Sequence, residues 1–102
     1  MPTGPYELWR GAVHLGRLAE LSPSKTQGWE EGKLEPSPAF AEVAPLFAAE
    51  IQLLGQADRW PDAWEEAWAA AQGPGARLIS PDGAESAVDL RIRGLRVDVQ
   101  RR

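Results

Sequence analysis

The sequence lacks the residues that build the commonest covalent and metal-dependent sites. Its 102 residues include no cysteine, one histidine and one methionine. The absence of cysteine therefore excludes disulfides, thiolate catalysis and zinc or iron–sulfur sites held by cysteine. The spacings of the common catalytic, nucleotide-binding and calcium-binding motifs are also missing. The sequence thus favours a non-catalytic protein without a cofactor or metal over an enzyme.

Long apolar segments are missing as well. The longest apolar run falls far short of the roughly 20 residues that a membrane-spanning helix requires. The first five residues have neither the basic nor the apolar segment of a secretory signal. We therefore expect a cytoplasmic protein that does not contact a membrane.

What the chain does contain suits one folded domain. It is 25% charged and 43% hydrophobic, and five tryptophans supply burial that a disordered chain lacks. The length leaves room for one domain, and no internal repeat is present. We predict a single domain over residues 1–102, with many turns at its nine prolines and ten glycines.

Alternating apolar and polar residues predict strands in the first third of the chain. Residues 6–21 form an N-terminal hairpin in which the apolar residues on the two sides of Gly16 have opposite strand parity. That change predicts either a bulge at Gly16 or the end of the strand there. Residues 29–35 supply a short third strand. The turn-rich residues 22–28 predict a mobile loop.

Two helices are predicted in the middle of the chain. Ser37 is placed to cap the first, and apolar residues recur at helical spacing over residues 40–54. Pro45 predicts either a kink or a principal helix that starts at this residue. The second helix begins at Pro61 and ends near Gln72, before a Gly-Pro-Gly sequence.

The clearest pattern predicts a three-strand meander at the C-terminal end. Residues 76–80 supply the first strand, and apolar and charged residues alternate over residues 88–100. A two-residue turn at 93–94 would place Ile92 opposite Leu95 and every apolar side chain on one face.

These elements predict an α+β fold in the order β-β-(β)-α-α-β-β-β. We expect a mostly antiparallel sheet of five to six strands, made of the N-terminal hairpin and the C-terminal meander. The two helices should pack on one face of this sheet.

Tryptophans mark the first candidate surface. Three of them recur every four residues from the start of the second helix, a spacing that turns only about 80° around a helix axis. Such a stripe belongs either to the core or to a binding surface, where tryptophan is enriched. We expect at least one ring to be exposed, with Trp29 beside the loop as the first choice. The candidate partner surface comprises Trp29, Trp60, Trp64, Trp68, Glu65 and Glu66.

Charge is distributed unevenly and marks the second candidate surface. Residues 30–66 carry nine acids against two bases, whereas residues 91–102 carry five bases against one acid. The candidate surface for a phosphate or an acidic partner comprises Arg91, Arg93, Arg96, Arg101 and Arg102. Interleaved acids and the net charge of −4 count against nucleic-acid binding.

Two further sets of residues have two interpretations each: a chemical role, or a plain interpretation in which they are ordinary polar residues of the fold. His14 could act as a base or metal ligand if carboxylates converged on it, and is otherwise a strand-end histidine. Clustered acids could bind a hard cation or form a solvated surface. These acids are Glu30, Glu31, Glu35, Asp62, Glu65 and Glu66. In both cases the sequence favours the plain interpretation.

The surplus of tryptophan and the separated charges favour a non-catalytic protein–protein interaction module. Two alternatives stay open: an acidic inhibitor or immunity-type protein that covers a basic partner, and a nucleic-acid-binding module that uses the arginine hairpin. The charge separation is also compatible with a homodimer in which acidic helices meet the arginine hairpin of a second copy.

Overall fold

The computed structural model describes residues 5–102 and has an α+β fold, as predicted. It contains two helices and seven strands, with the second helix at its predicted bounds. The elements are β1 (Tyr6–Arg10), β2 (Val13–Leu18), β3 (Ser22–Pro23), β4 (Glu30–Pro36), α1 (Phe40–Leu54), α2 (Pro61–Gln72), β5 (Ala76–Ile79), β6 (Glu85–Arg93) and β7 (Arg96–Arg101). Neither of these helices is long and apolar enough to cross a bilayer.

The sheet closes on itself, which corrects the expected layer of strands with helices on one face. Its strand order is β2-β1-β5-β6-β7-β4-β3, and β4 also pairs with β2. Six strands therefore form a barrel, and the two-residue β3 pairs with the start of β4 on the same side as β2. All of these pairings are antiparallel. Closure leaves the barrel strands without a long free edge, and free edges are prone to aggregation.

A bulge beside Gly16 brings the two ends of the sheet together. Leu8 pairs with Gly16 but Trp9 pairs with His14, so β2 carries one extra residue. This is the first of the two alternatives that the change in parity left open, because β2 continues past Gly16 to Leu18. Gly16 has a φ of +147°, and a Cβ there would lie 2.2 Å from the carbonyl oxygen of Glu35 in β4. Only glycine permits this approach of the two backbones.

Helix α1 covers one end of the barrel. It contacts β2 and β6, which stand on opposite sides of the ring of six strands. Its Val43 and Phe47 are buried with the inward-facing residues of the strands. Helix α2 packs on α1 and reaches β6. The buried apolar set from the strands is Leu8, Leu15, Leu18, Leu34, Ala76, Leu78, Val88, Leu90, Ile92, Val97 and Val99.

The start of α1 differs from the prediction. The helix begins at Phe40, and the residue before it, Ala39, makes no side-chain capping bond. Ser37 does not cap the helix; its hydroxyl donates to the carbonyl oxygen of His14 in β2. The helix then runs through Pro45 without interruption to Leu54, so the shorter helix starting at Pro45 is not observed.

The C-terminal hairpin keeps the predicted faces but not the predicted register. Its turn is at 94–95, so Arg93 pairs with Arg96 and Ile92 pairs with Val97. Glycine at the first turn position, with a φ of +60°, suits a type II′ hairpin turn. A shift of two residues leaves side-chain parity unchanged, so the apolar residues of both strands still face the interior. Leu95, which was predicted opposite Ile92 on this face, instead lies in the turn and is 44% exposed.

A glutamine side chain pairs with β6 next to the first residue of β5. Ala76 pairs with Val88, and continuation of that register would place Pro74 opposite Leu90. Proline has no N–H to donate to a neighbouring strand. The Gln72 amide takes its place: its Nε2 donates to the Leu90 carbonyl at 2.6 Å, and the Leu90 N–H donates to its Oε1 at 2.7 Å.

Candidate functional site

Three tryptophans of the predicted partner surface meet over the outer face of β6. Trp64 and Trp68 stack with their ring centroids 5.9 Å apart, and Trp29 meets Trp68 edge-on at 6.4 Å. The Arg91 guanidinium lies 5.7 Å from the Trp29 ring and 5.3 Å from the Trp68 ring. All three rings are half-buried. Their main contacts are within the chain, where they pack α2 and the residue before β4 on the barrel.

A buried carboxylate holds this aromatic cluster in place. Glu50 of α1 is 1% exposed; its Oε2 accepts from Trp64 Nε1–H at 2.7 Å, and its Oε1 accepts from Arg91 Nε–H at 3.0 Å. These bonds join α1, α2 and β6. In the sequence, Glu50 was only one of the nine acids counted over residues 30–66. Its spacing of seven from Val43 and three from Phe47, both on the apolar face of α1, was the signal that could have identified it.

The predicted arginine surface is largely neutralised within the chain. Four of its five arginines form ion pairs: Arg91 with Glu50 at 3.0 Å, Arg96 with Glu31 at 2.6 Å, Arg101 with Glu30 at 2.9 Å and Arg102 with Asp89 at 2.6 Å. Within residues 5–102, Arg93 forms no ion pair. Much of the opposite charge seen in the sequence is therefore used inside the fold.

The start of α2 presents charge that the fold does not use. Trp60, which precedes the helix, is 55% exposed and is the most exposed of the tryptophans. Asp58, Asp62, Glu65 and Glu66 are exposed, and none forms an ion pair within the described chain. The last three lie at positions i, i+3 and i+4 and so share one side of the helix. We call these five residues the Trp60 surface.

His14 lies in an ordinary cross-strand pair. Its Nε2 is 2.7 Å from Glu7 Oε2, and Glu7 Oε1 also pairs with Arg17 Nε at 2.9 Å. The imidazole packs 4.9 Å from the Trp9 ring. One carboxylate shared with an arginine does not form a metal site, and residues 5–102 contain no group of three or more metal-ligating side chains.

Two cavities on the surface of residues 5–102 lie near the β6–β7 hairpin. The larger, of about 650 Å³, lies between residues 19–22, residues 31–33 and the tip of the β6–β7 hairpin. The smaller, of about 190 Å³, lies between residues 24–29 and the outward side chains of β6 and β7. Neither contains His14.

One carboxyl outside both cavities has a shifted pKa. The Ser80 hydroxyl and then the Ala84 N–H donate to Asp82 in the turn after β5 and lower the pKa of this exposed carboxyl. These bonds stabilise the charged form and close the turn.

Comparison with known proteins assigns neither a family nor a function to this chain. No protein-family model, curated protein or solved structure matches the chain.

Proposed function

We propose that this protein is a non-catalytic, cytoplasmic protein–protein interaction module that binds a basic partner through the Trp60 surface. The observation that carries the proposal is the 55% exposure of Trp60 within a segment whose four acids have no ion-pair partner in the described chain. Tryptophan is among the residues most enriched at binding hot spots.

The two parts of this surface would contribute differently to binding. The indole of Trp60 offers a large apolar area that a partner can enclose, which slows dissociation. The carboxylates around it attract a positive surface and accelerate association, an effect that salt screens. Because the other two tryptophans of the stripe pack within the chain, the surface has one aromatic anchor.

The alternatives inferred from the sequence draw different support. An acidic inhibitor or immunity-type role is a narrower form of this proposal, since the same surface would cover a basic partner. Nucleic-acid binding and self-association through the arginine hairpin draw less support, because four of its five arginines already face carboxylates of the same chain.

A basic peptide tests the proposal. We expect a labelled peptide of five Lys-Leu repeats to bind the protein, with an affinity that falls between about 50 and 200 mM salt because the charges are screened. Trp60→Ala should weaken binding about thirtyfold, which corresponds to about 2 kcal/mol at a hot spot. Leu95→Ala, which removes the other large apolar side chain that is exposed within residues 5–102, is the matched control and should bind as the unmodified protein does.

Charge reversal tests the electrostatic part separately. Glu65→Lys with Glu66→Lys should slow association, whereas Glu20→Lys with Glu35→Lys makes the same charge change at exposed positions elsewhere. Equal effects of the two pairs would show that net charge alone governs binding. Together with an unchanged affinity for Trp60→Ala, that result would overturn the proposal.

A further inference from the structure

The smaller cavity shares no residue with the Trp60 surface. It has a volume of about 190 Å³ and lies between residues 24–29 and the outward side chains of Arg91, Arg93, Arg96 and Asp98. Its lining contains both signs of charge, two hydroxyl groups and one indole ring. This combination offers hydrogen bonds and charge complementarity to a polar ligand.

One wall of the cavity is held by contacts within the chain. The Ser24 N–H donates to the carbonyl oxygen of Trp29 at 2.9 Å, and the Trp29 N–H donates to the carbonyl oxygen of Thr26 at 3.1 Å. The Trp29 indole is further held by Arg91 on one side and by the edge of Trp68. The indole can therefore form a wall without reorganisation when a ligand binds.

The cavity has one unused positive group. Arg93 forms no ion pair within residues 5–102, whereas Arg91 beside it is already paired with the buried Glu50. The hydroxyl groups of Ser24 and Thr26 line the same space and can donate hydrogen bonds. These groups suit a single carboxylate.

Asp98 supplies an incompletely used negative group. Its Oδ1 is buried and has no hydrogen-bond partner in the described structure. The nearest guanidinium nitrogen, Arg96 Nε, is 3.4 Å away, because Arg96 forms its shorter contact, 2.6 Å, with Glu31. Charge-assisted hydrogen bonds to carboxylates are about 2.7–2.9 Å long. Because Oδ1 has almost no exposed surface, a ligand ammonium group would bond to it by displacing Arg96 Nε, and would form the shorter contact.

We propose that this cavity binds a small zwitterion, a free α-amino acid, with its carboxylate at Arg93 and its ammonium group at Asp98. Arg93 pairs with Arg96, so Asp98 is its diagonal neighbour, about 7–8 Å away between Cα atoms. The cavity volume equals that of about six water molecules at ~30 Å³ each, which is enough space for the six non-hydrogen atoms of L-alanine.

The charge balance distinguishes this ligand from a phosphate or nucleotide. Three arginines line the cavity, and their charge is matched by Asp98 on the wall and by Glu31 and Glu50 paired behind it. A site that is neutral overall gains little from a multiply charged anion. It accommodates a ligand that carries one charge of each sign.

Nuclear magnetic resonance with L-alanine as the probe tests this proposal. The indole N–H signal of Trp29 in the ¹⁵N-labelled full chain should shift saturably with L-alanine. Propionate and ethylamine, each with one of the two charges, should bind at least about tenfold more weakly. Arg93→Gln and Asp98→Asn should each weaken L-alanine binding about tenfold. Arg59→Gln removes an exposed arginine outside the cavity and should leave the affinity unchanged.

Three results would overturn the proposal. These are no saturable shift with L-alanine, equal binding of propionate and L-alanine, or tighter binding of inorganic phosphate. The last two would make the cavity an anion site. Because none of these experiments involves the Trp60 surface, their outcome is independent of the proposed protein-binding function.

Discussion

Removal of the Gln72 side-chain amide should destabilise the fold more than the loss of an ordinary polar contact. The amide makes both hydrogen bonds that a neighbouring strand would otherwise supply to Leu90. Gln72 is 6% exposed and Leu90 is 1% exposed, so bulk water does not reach these groups in the native fold. In Gln72→Ala, the N–H and the carbonyl group of Leu90 both lose their partner.

The expected loss follows from these two groups. An unsatisfied buried donor or acceptor costs about 1–3 kcal/mol, so the substitution should lower the free energy of unfolding by about 2–6 kcal/mol. A small domain has about 5–15 kcal/mol of stability in total. A water molecule that enters the space left by the amide would move the loss towards the lower end of this range.

Urea unfolding measures the effect, with Gln52→Ala, at an exposed position of α1, as the matched control. Gln72→Glu adds a pH test, because a charged carboxylate can accept from the Leu90 N–H but cannot donate to the Leu90 carbonyl. Protonation restores the donor, so folding should raise the pKa of the introduced carboxyl. Below the unfolded-state pKa the carboxyl is protonated in both states and contributes its full stabilisation of the fold. This stabilisation is lost as pH rises through the folded-state pKa. A loss in Gln72→Ala no larger than in Gln52→Ala would refute the reasoning.

Two further predictions concern backbone closure and a turn. Gly16→Ala should destabilise the barrel by roughly 2–6 kcal/mol, because the positive φ and the overlap with the Glu35 carbonyl each cost about 1–3 kcal/mol. Gly83→Ala, at a φ of +91° with open space around it, should lose only the backbone part in the same urea assay. Ser80→Ala should raise the pKa of Asp82 towards its ordinary value, as measured by a carboxyl titration in nuclear magnetic resonance. In the unmodified protein the contribution of Asp82 is present above its unfolded-state pKa and is lost as pH falls through the folded-state value; an unchanged pKa in Ser80→Ala would contradict the assigned cause.

The C-terminal hairpin shows what a local sequence pattern can predict and what it cannot. The alternation over residues 88–100 correctly placed Val88, Leu90, Ile92, Val97 and Val99 on the interior face, but it wrongly placed Leu95 there as well. It could not select between registers that differ by two residues, because both give the same faces. The turn geometry at 94–95 made that choice, and it placed Asp98 opposite Arg91.

The tryptophan stripe shows a second limit. Its spacing predicted that Trp60, Trp64 and Trp68 would follow one side of α2, but not which rings would be covered. The answer depends on Glu50, a residue of another helix whose carboxylate holds Trp64. Such a partner is separated along the chain and is found only when the helices are placed side by side.

The sequence by itself determined the α+β class, the bounds of α2 and the absence of cysteine chemistry, and it limited Gly16 to a bulge or a strand end. These properties depend on composition and on patterns within a few neighbouring residues. Only the tertiary structure decided that the sheet closes into a barrel, which arginines are neutralised, and where Trp60 and Arg93 are left available. Closure and charge pairing join residues tens of positions apart, so their free energies depend on distances that no local pattern contains.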